Sequence, residues 1–318
     1  MIRRIFAGSA VGVALSFSLP AHAVWPDHTI KIIVPLPAGS AADTVARVIS
    51  KELSEKLNQT VIVLNRPGAS GEVGSTELAH ADADGYTLGI ATTTTMVTAP
   101  LLNAVKYDPI KDIAPVAMIG TSPYVLVVNS NVPAHNLKEF IALAKKKPIS
   151  YSSVGEGSLS HLAASLFARM GGIKLTEIPY KSSTQAIVDL LSDRIDSQFG
   201  ILTTTHQYIK EGKLRALGIT STKRISRFPD LPTISEEGLS GFEALLWLGL
   251  VAPAKTPQPI IDKVNAVIND MLARPKEQEL LANQAIYASP MSADEMKQMV
   301  ETEISKWKAV LQEDKRAE

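Results

Sequence analysis

Thr29-Ile30-Lys31-Ile32-Ile33-Val34 runs into Pro35-Leu36-Pro37-Ala38-Gly39-Ser40-Ala41-Ala42-Asp43, and an amphipathic run then continues to Leu57. The first six residues are mostly β-branched and read as a strand. The prolines and small residues stop it, and Ser40 with Asp43 marks a helix start. The same grammar returns at Ile149–Val154, followed by Gly155-Glu156-Gly157-Ser158 and a helix carrying Leu159, Leu162, Leu166, Phe167 and Met170. The first turn of a helix has free N–H groups and a partial positive charge, so each loop suits an anion. Two such loops facing each other would hold a small carboxylate. Neither carries an evident nucleophile–base pair, which points to holding a ligand rather than converting it.

Working outward, short β-rich runs alternate with helical ones. Strands are expected near 60–64, 86–91, 124–128, 175–179, 195–200, 214–220 and 244–252. Helices are expected near 71–80, 137–146, 184–192 and 205–211. This alternation implies an α/β fold with parallel sheets, helices on both faces and ligands outside the carboxyl ends of the strands. Three further helices are expected over 257–273, 275–283 and 292–314, split by Pro275 and Pro290. Ser292 resembles an N-cap, and Trp307 reads as core packing on the terminal helix.

The chain of 318 residues is long enough for about two domains. Arg3 and Arg4, an apolar run to Leu19 and Ala21-His22-Ala23 read as a signal peptide over residues 1–23, cleaved after Ala23. The protein is therefore expected in the periplasm. There is no cysteine, which removes disulfides, thiolate catalysis and Cys-ligated metals together. Lysine plus arginine (32) balances aspartate plus glutamate (32), and no basic tail points to nucleic acid. Lys145-Lys146-Lys147 is a basic run at a predicted helix end, where it complements the dipole.

His28, His80, His135, His161 and His206 show no metal-ligand spacing, and no G-x-S-x-G elbow occurs. Gly68, Gly71 and Gly74 follow a strand, but their spacing is not that of a dinucleotide loop, so no cofactor is expected. Ser158 and His161, three positions apart at a helix start, are the one candidate nucleophile–base pair. A secreted hydrolase using them is the alternative to ligand binding. A structural N-cap with a core histidine is the third reading.

Several further blocks extend the pattern in order. They include Asn65-Arg66-Pro67-Gly68-Ala69-Ser70-Gly71, Asp84-Gly85-Tyr86-Thr87-Leu88, Tyr107-Asp108-Pro109 and Pro179-Tyr180-Lys181. Gly212-Lys213-Leu214-Arg215-Ala216-Leu217, Pro229-Asp230-Leu231-Pro232-Thr233 and Trp247-Leu248-Gly249-Leu250 complete them. With the two loops, this collinear series resembles the solute-binding proteins of tripartite tricarboxylate transporters, the Bug family. The resemblance implies a periplasmic-binding-protein-like fold of two α/β lobes. One lobe would combine 24–121 with 238–318, and the other would run over 122–237. It implies hinge closure on a small carboxylate, delivery to a membrane permease and a monomeric state. A ligand-sensing module for a signalling receptor would use the same closure.

On the matching positions, the ligand residues expected from the first lobe are Pro37, Ala38, Gly39, Ser40 and Ala41, with Asp43 bracing the loop. Thr92, Thr93 and Thr94 follow a strand end and offer hydroxyls. Gly155, Ser158, His161 and Tyr180 are expected from the second lobe. At 199–200 the family often has Phe-Asp, where this chain has Phe199-Gly200. Losing that carboxylate removes repulsion worth about 4 kcal/mol at 4 Å and intermediate dielectric. The departure favours a dicarboxylate or aromatic carboxylate over an amino acid. Gly200 is also expected to leave space beside Phe199 for a ring.

Overall fold

A computed structural model describes residues 25–317. The expected signal peptide and its cleavage site lie outside the described residues. The first sheet holds β1 (Ile30–Val34), β2 (Val61–Asn65), β3 (Thr87–Thr92), β9 (Leu245–Pro253) and the first half of β4 (Ile113–Asn129). Its order is β2-β1-β3-β9-β4, and the short β10 (Tyr287–Ala288) pairs with β4. The second sheet holds β5 (Ile149–Ser153), β6 (Leu175–Pro179), β7 (Ser197–Ile201), β8 (Leu214–Ile219) and the rest of β4. Its order is β6-β5-β7-β4-β8.

The two orders are one pattern used twice. β1, β2 and β3 are parallel, then β9 and β4 follow antiparallel. β5, β6 and β7 are parallel, then β4 and β8 follow antiparallel. The expected parallel strands are therefore present, and each sheet adds β4 and one further long antiparallel strand, with the short β10 as an extra in the first. In both lobes the first strand lies between the other two parallel strands. Successive crossovers therefore leave in opposite directions, which opens a crevice at the carboxyl ends of β1 and β3, and of β5 and β7. Helices α1 (Ala41–Leu57) and α5 (Leu159–Gly171) start at those crevices.

β4 crosses from one lobe to the other as a single strand of 17 residues. Only its second half is readable from sequence, because Pro115, Gly120 and Pro123 interrupt the first. The strand accommodates them with register shifts between Pro115 and Ala117 and between Met118 and Gly120. The return crossing lies just before β9, where the Ala244 amide donates to the Thr220 carbonyl at 2.9 Å.

Among the described residues, three apolar cores hold these parts together. One packs Ile32, Val45, Ile49 and Val264 between the first sheet, α1 and α8 (Gln258–Leu272). Another packs Val125, Val127, Ile187 and Leu202 in the second lobe. The third joins both lobes and includes Met96, Leu126, Phe167 and Trp307. Trp307 is fully buried on α10 (Ala293–Ala317), as the terminal-helix reading requires. Ser292 caps that helix reciprocally. Its Oγ accepts from the Glu295 amide at 3.2 Å, and Glu295 Oε2 accepts from the Ser292 amide at 2.8 Å. Phe242 packs its ring 6.2 Å from Phe167 and 6.5 Å from Phe199.

Candidate ligand site

Ser40 caps α1 with an extended backbone, and its side chain accepts from the Asp43 amide at 3.2 Å. One residue earlier, Gly39 has φ +82°, a conformation that suits glycine. The Gly39 amide donates to Asp43 Oδ2 at 2.9 Å, so the third helical residue reaches back and fixes the turn. Asp43 is only 3% exposed. It also accepts from Arg47 Nε at 3.1 Å and from Asn65 Nδ2 at 3.0 Å. Burial pushes its carboxyl up, but the bonds from Arg47, the Gly39 amide and Asn65 outweigh it and hold the pKa below its ordinary value. The bracing role expected of Asp43 is thus its geometry here. Pro37, Ala38, Gly39 and Ala41 are exposed, and a Cβ built at Gly39 would meet nothing within 4 Å.

The second turn repeats this arrangement. Ser158 caps α5, and its Oγ accepts from the His161 amide at 3.3 Å. Gly157 has φ +71°, and its amide donates to His161 Nδ1 at 3.4 Å. Again the residue three past the cap holds the amide before it. With Nδ1 accepting, the ring proton sits on Nε2, 4.0 Å from Glu177 Oε2. Glu177 also accepts from Ser153 Oγ, which in turn accepts from the Gly155 amide at 3.0 Å. In both turns the first helical amides, Ala41 and Ala42 or Leu159 and Ser160, have no intrahelical acceptor. A Cβ at Gly155 would meet open space.

This geometry uses up the Ser158–His161 pair. The Ser158 hydroxyl donates to the Gly155 carbonyl at 2.6 Å, while its oxygen serves as the cap. His161 Nδ1 is turned to the Gly157 amide, so it is not positioned to take a proton from Ser158.

The remaining expected residues divide. Thr92 and Thr94 are part-exposed at the end of β3 and the start of a π-helical turn, Thr94–Thr98. Thr93 is buried, and its Oγ1 accepts from the Trp247 amide at 2.9 Å and donates to the Leu245 carbonyl, tying β3 to β9. Tyr180 is part-buried and donates to Asp189 Oδ2 at 2.9 Å. Phe199 is 1% exposed and belongs to the aromatic core, because it points to the face opposite Gly200. The expected room for a ring beside Gly200 is absent, since a Cβ there would lie 2.8 Å from the Thr205 methyl. A cavity of about 650 Å³ between the lobes lies elsewhere, over the crossing strands, among Thr121, Pro123, Glu243, Trp247, Tyr287 and Lys306.

Arg47 is legible as a brace from its spacing to Asp43. Ser153 and Glu177 are not, since they meet across neighbouring strands 24 residues apart.

Comparison with known proteins decides what these turns belong to. Residues 45–315 match the family model TctC, described as tripartite tricarboxylate transporter family receptor. The chain belongs to the TctC family. BugT of Bordetella pertussis is 34% identical over 313 residues, covering 97% of this chain and 95% of BugT. Rpa4515 of R. palustris with adipate is 31% identical, with a TM-score of 0.72 over 91% of this chain and 97% of its own. MatC from Rhodopseudomonas palustris with bound malate is 30% identical, with a TM-score of 0.68 over 90% and 99%. Solved relatives include the periplasmic binding protein BugD and a TctC solute-binding protein from Polaromonas, so the family is one of solute-binding proteins rather than enzymes. Both turns of this TctC chain therefore belong to a binding protein, in agreement with the occupied Ser158 hydroxyl.

Proposed function

We propose that the chain closes its two lobes on a small dicarboxylate or aromatic carboxylate and delivers it, as an exported monomer, to the permease of a tripartite tricarboxylate transporter. One observation carries this reading. Two helix-start turns with matching caps and matching glycine locks sit at the crevices of two equivalent sheets. Such turns favour an anion at each end of the ligand's binding space. Pro37 to Ala41, Thr92 and Thr94 would meet it from the first lobe, and Gly155 with the Ser158 turn from the second. Asp43 and His161 act behind them. The lobes would meet near 121–123 and 242–245, where the chain passes between the sheets. Position 200 carries no carboxylate, so an anionic ligand meets no charge repulsion there. The adipate and malate held by the two R. palustris relatives support the carboxylate class.

A thermal-shift screen of mono-, di- and tricarboxylates, aliphatic and aromatic, with amino acids included, tests this. A ligand at 100 times its dissociation constant adds about 2.7 kcal/mol of stability. Stabilisation by an amino acid alone would overturn the assignment of ligand class. Product from an ester or amide growing past one equivalent would overturn the binding role itself.

A further inference from the structure

The run Lys145-Lys146-Lys147 ends α4 (Leu137–Ala144), where it offsets the helix dipole. The fold adds a fourth lysine from another segment. The end of α5 at Gly171 and the turn through Gly172 bring Lys174 to the same place. Together these lysines line an open hollow of about 700 Å³ with Pro148, Gly172 and Thr176, and no carboxylate lines it. All four are exposed. Among the described residues the lysine ion pairs are those of Lys111, Lys213 and Lys306, so none of these four is neutralised by a carboxylate. The formal charge of the whole chain is zero, which makes the hollow a local concentration of charge.

The surrounding backbone selects what such a hollow can take. Two helices present their carboxyl ends here, so the main chain offers carbonyl oxygens rather than amides. A small anion seated deep in the hollow would face those dipoles. There is no arginine in the lining to grip a carboxylate or phosphate by two parallel bonds. What remains is four flexible point charges directed at solvent. We infer that this hollow is a contact surface for an anionic phospholipid bilayer, which a periplasmic protein meets at the inner membrane. It lies at the amino ends of β5 and β6, while the Gly155–Ser158 turn lies at the carboxyl end of β5. Five strand residues separate the two ends by about 17 Å. Contact with lipid therefore leaves the proposed ligand turn uncovered. The inference uses the periplasmic setting of the family and is independent of which ligand the turns hold.

Co-sedimentation of protein purified from periplasmic extracts with phosphatidylglycerol vesicles tests it. Binding is expected at low salt, with none to phosphatidylcholine vesicles and release at about 0.3 M salt, where screening is short-ranged. Each lysine near an anionic surface contributes about fivefold in partition. K145Q/K146Q/K147Q/K174Q should therefore lose on the order of 600-fold. The four Lys→Arg changes should keep binding, which separates charge from folding, and both variants should keep the wild-type melting temperature. No binding to phosphatidylglycerol, equal binding to both lipids, or full binding by the glutamine variant would each overturn the inference. Tighter binding to a soluble acidic peptide than to vesicles would also overturn it, in favour of a protein partner.

Discussion

The turns at Gly39–Asp43 and Gly157–His161 share a backbone and differ in what stands behind it. In the first, the lock is a carboxylate held by Arg47 and Asn65. In the second it is an imidazole nitrogen, with Glu177 at 4.0 Å. The first lock is short and accepts from four donors, if the second Arg47 contact at 3.0 Å is included. The second is a single 3.4 Å bond. Their surroundings are reversed. Gly39 stands in open space, whereas Gly157 is buried against Leu102 of α3 (Ala99–Leu102) in the other lobe. One turn is thus held from within its own lobe, and the other leans on its neighbour. The lesson is that a repeated loop can keep its geometry while its supports are exchanged.

Removing the two locks should break the equivalence most visibly. Asp43→Ala leaves the Gly39 amide, Asn65 and Arg47 without their common acceptor, and should cost about 3 kcal/mol or more. His161→Ala gives up one long bond and should cost about 1 kcal/mol from that source. Urea unfolding of both variants checks the order, and equal losses would mean that the two locks carry equal weight. Asp43→Asn sharpens the same point through pH. The pKa of Asp43 is depressed in the fold. Its contribution is therefore complete above the unfolded value and is lost as pH falls through the folded one. The stability gap between wild type and Asp43→Asn should be constant near neutrality and close below about pH 4. A gap that persists at pH 2 would show that charge is not what the brace supplies.

The glycines come next. Alanine in a left-handed conformation costs about 1–2 kcal/mol at either position. At Gly157 the new Cβ would also lie 1.9 Å from Leu102 Cδ1, so that side chain must move as well. Gly157→Ala should therefore destabilise more than Gly39→Ala, and should disturb the contact between lobes. Gly39→Asp has space for its side chain but places a second carboxylate at the proposed anion site. It should keep the fold and lose most carboxylate affinity, as calorimetric titration would show. Unchanged affinity would remove the first turn from the site.

What could be read in advance follows from the range of the interactions. β6 has the boundaries expected from sequence and β5 ends one residue short of its expected run, because a β-rich run between breakers is a local signal. Ser40 and Ser158 are legible as caps for the same reason. Residues 94–102 are helical without having been expected to be, since a threonine run followed by Pro100 carries no clear helical period. The side of β7 that Phe199 faces depends on α5 and Phe242 packing there. The supports of the turns divide the same way. Asp43 with Arg47 is one helical turn and readable. Asn65 lies 22 residues from Asp43, and Glu177 lies 24 from Ser153, so only the sheets bring those partners together.

The caps themselves should give the smallest difference. Ser40→Ala removes one acceptor for the Asp43 amide and should cost about 1 kcal/mol. Ser158 performs the same task for His161, but its hydroxyl also donates to the Gly155 carbonyl and lies 3.0 Å from Ser160 Oγ. Ser158→Ala therefore loses a cap and a second bond that closes the Gly155 turn, and should cost about 2 kcal/mol. Because the second turn has the weaker glycine lock, its order rests more heavily on this serine. Hydrogen exchange at the Gly155–Ser158 amides should rise more in Ser158→Ala than exchange at 38–41 rises in Ser40→Ala. Equal increases would mean that the His161 lock and the Leu102 contact suffice to hold the turn, and that the serine is only a cap.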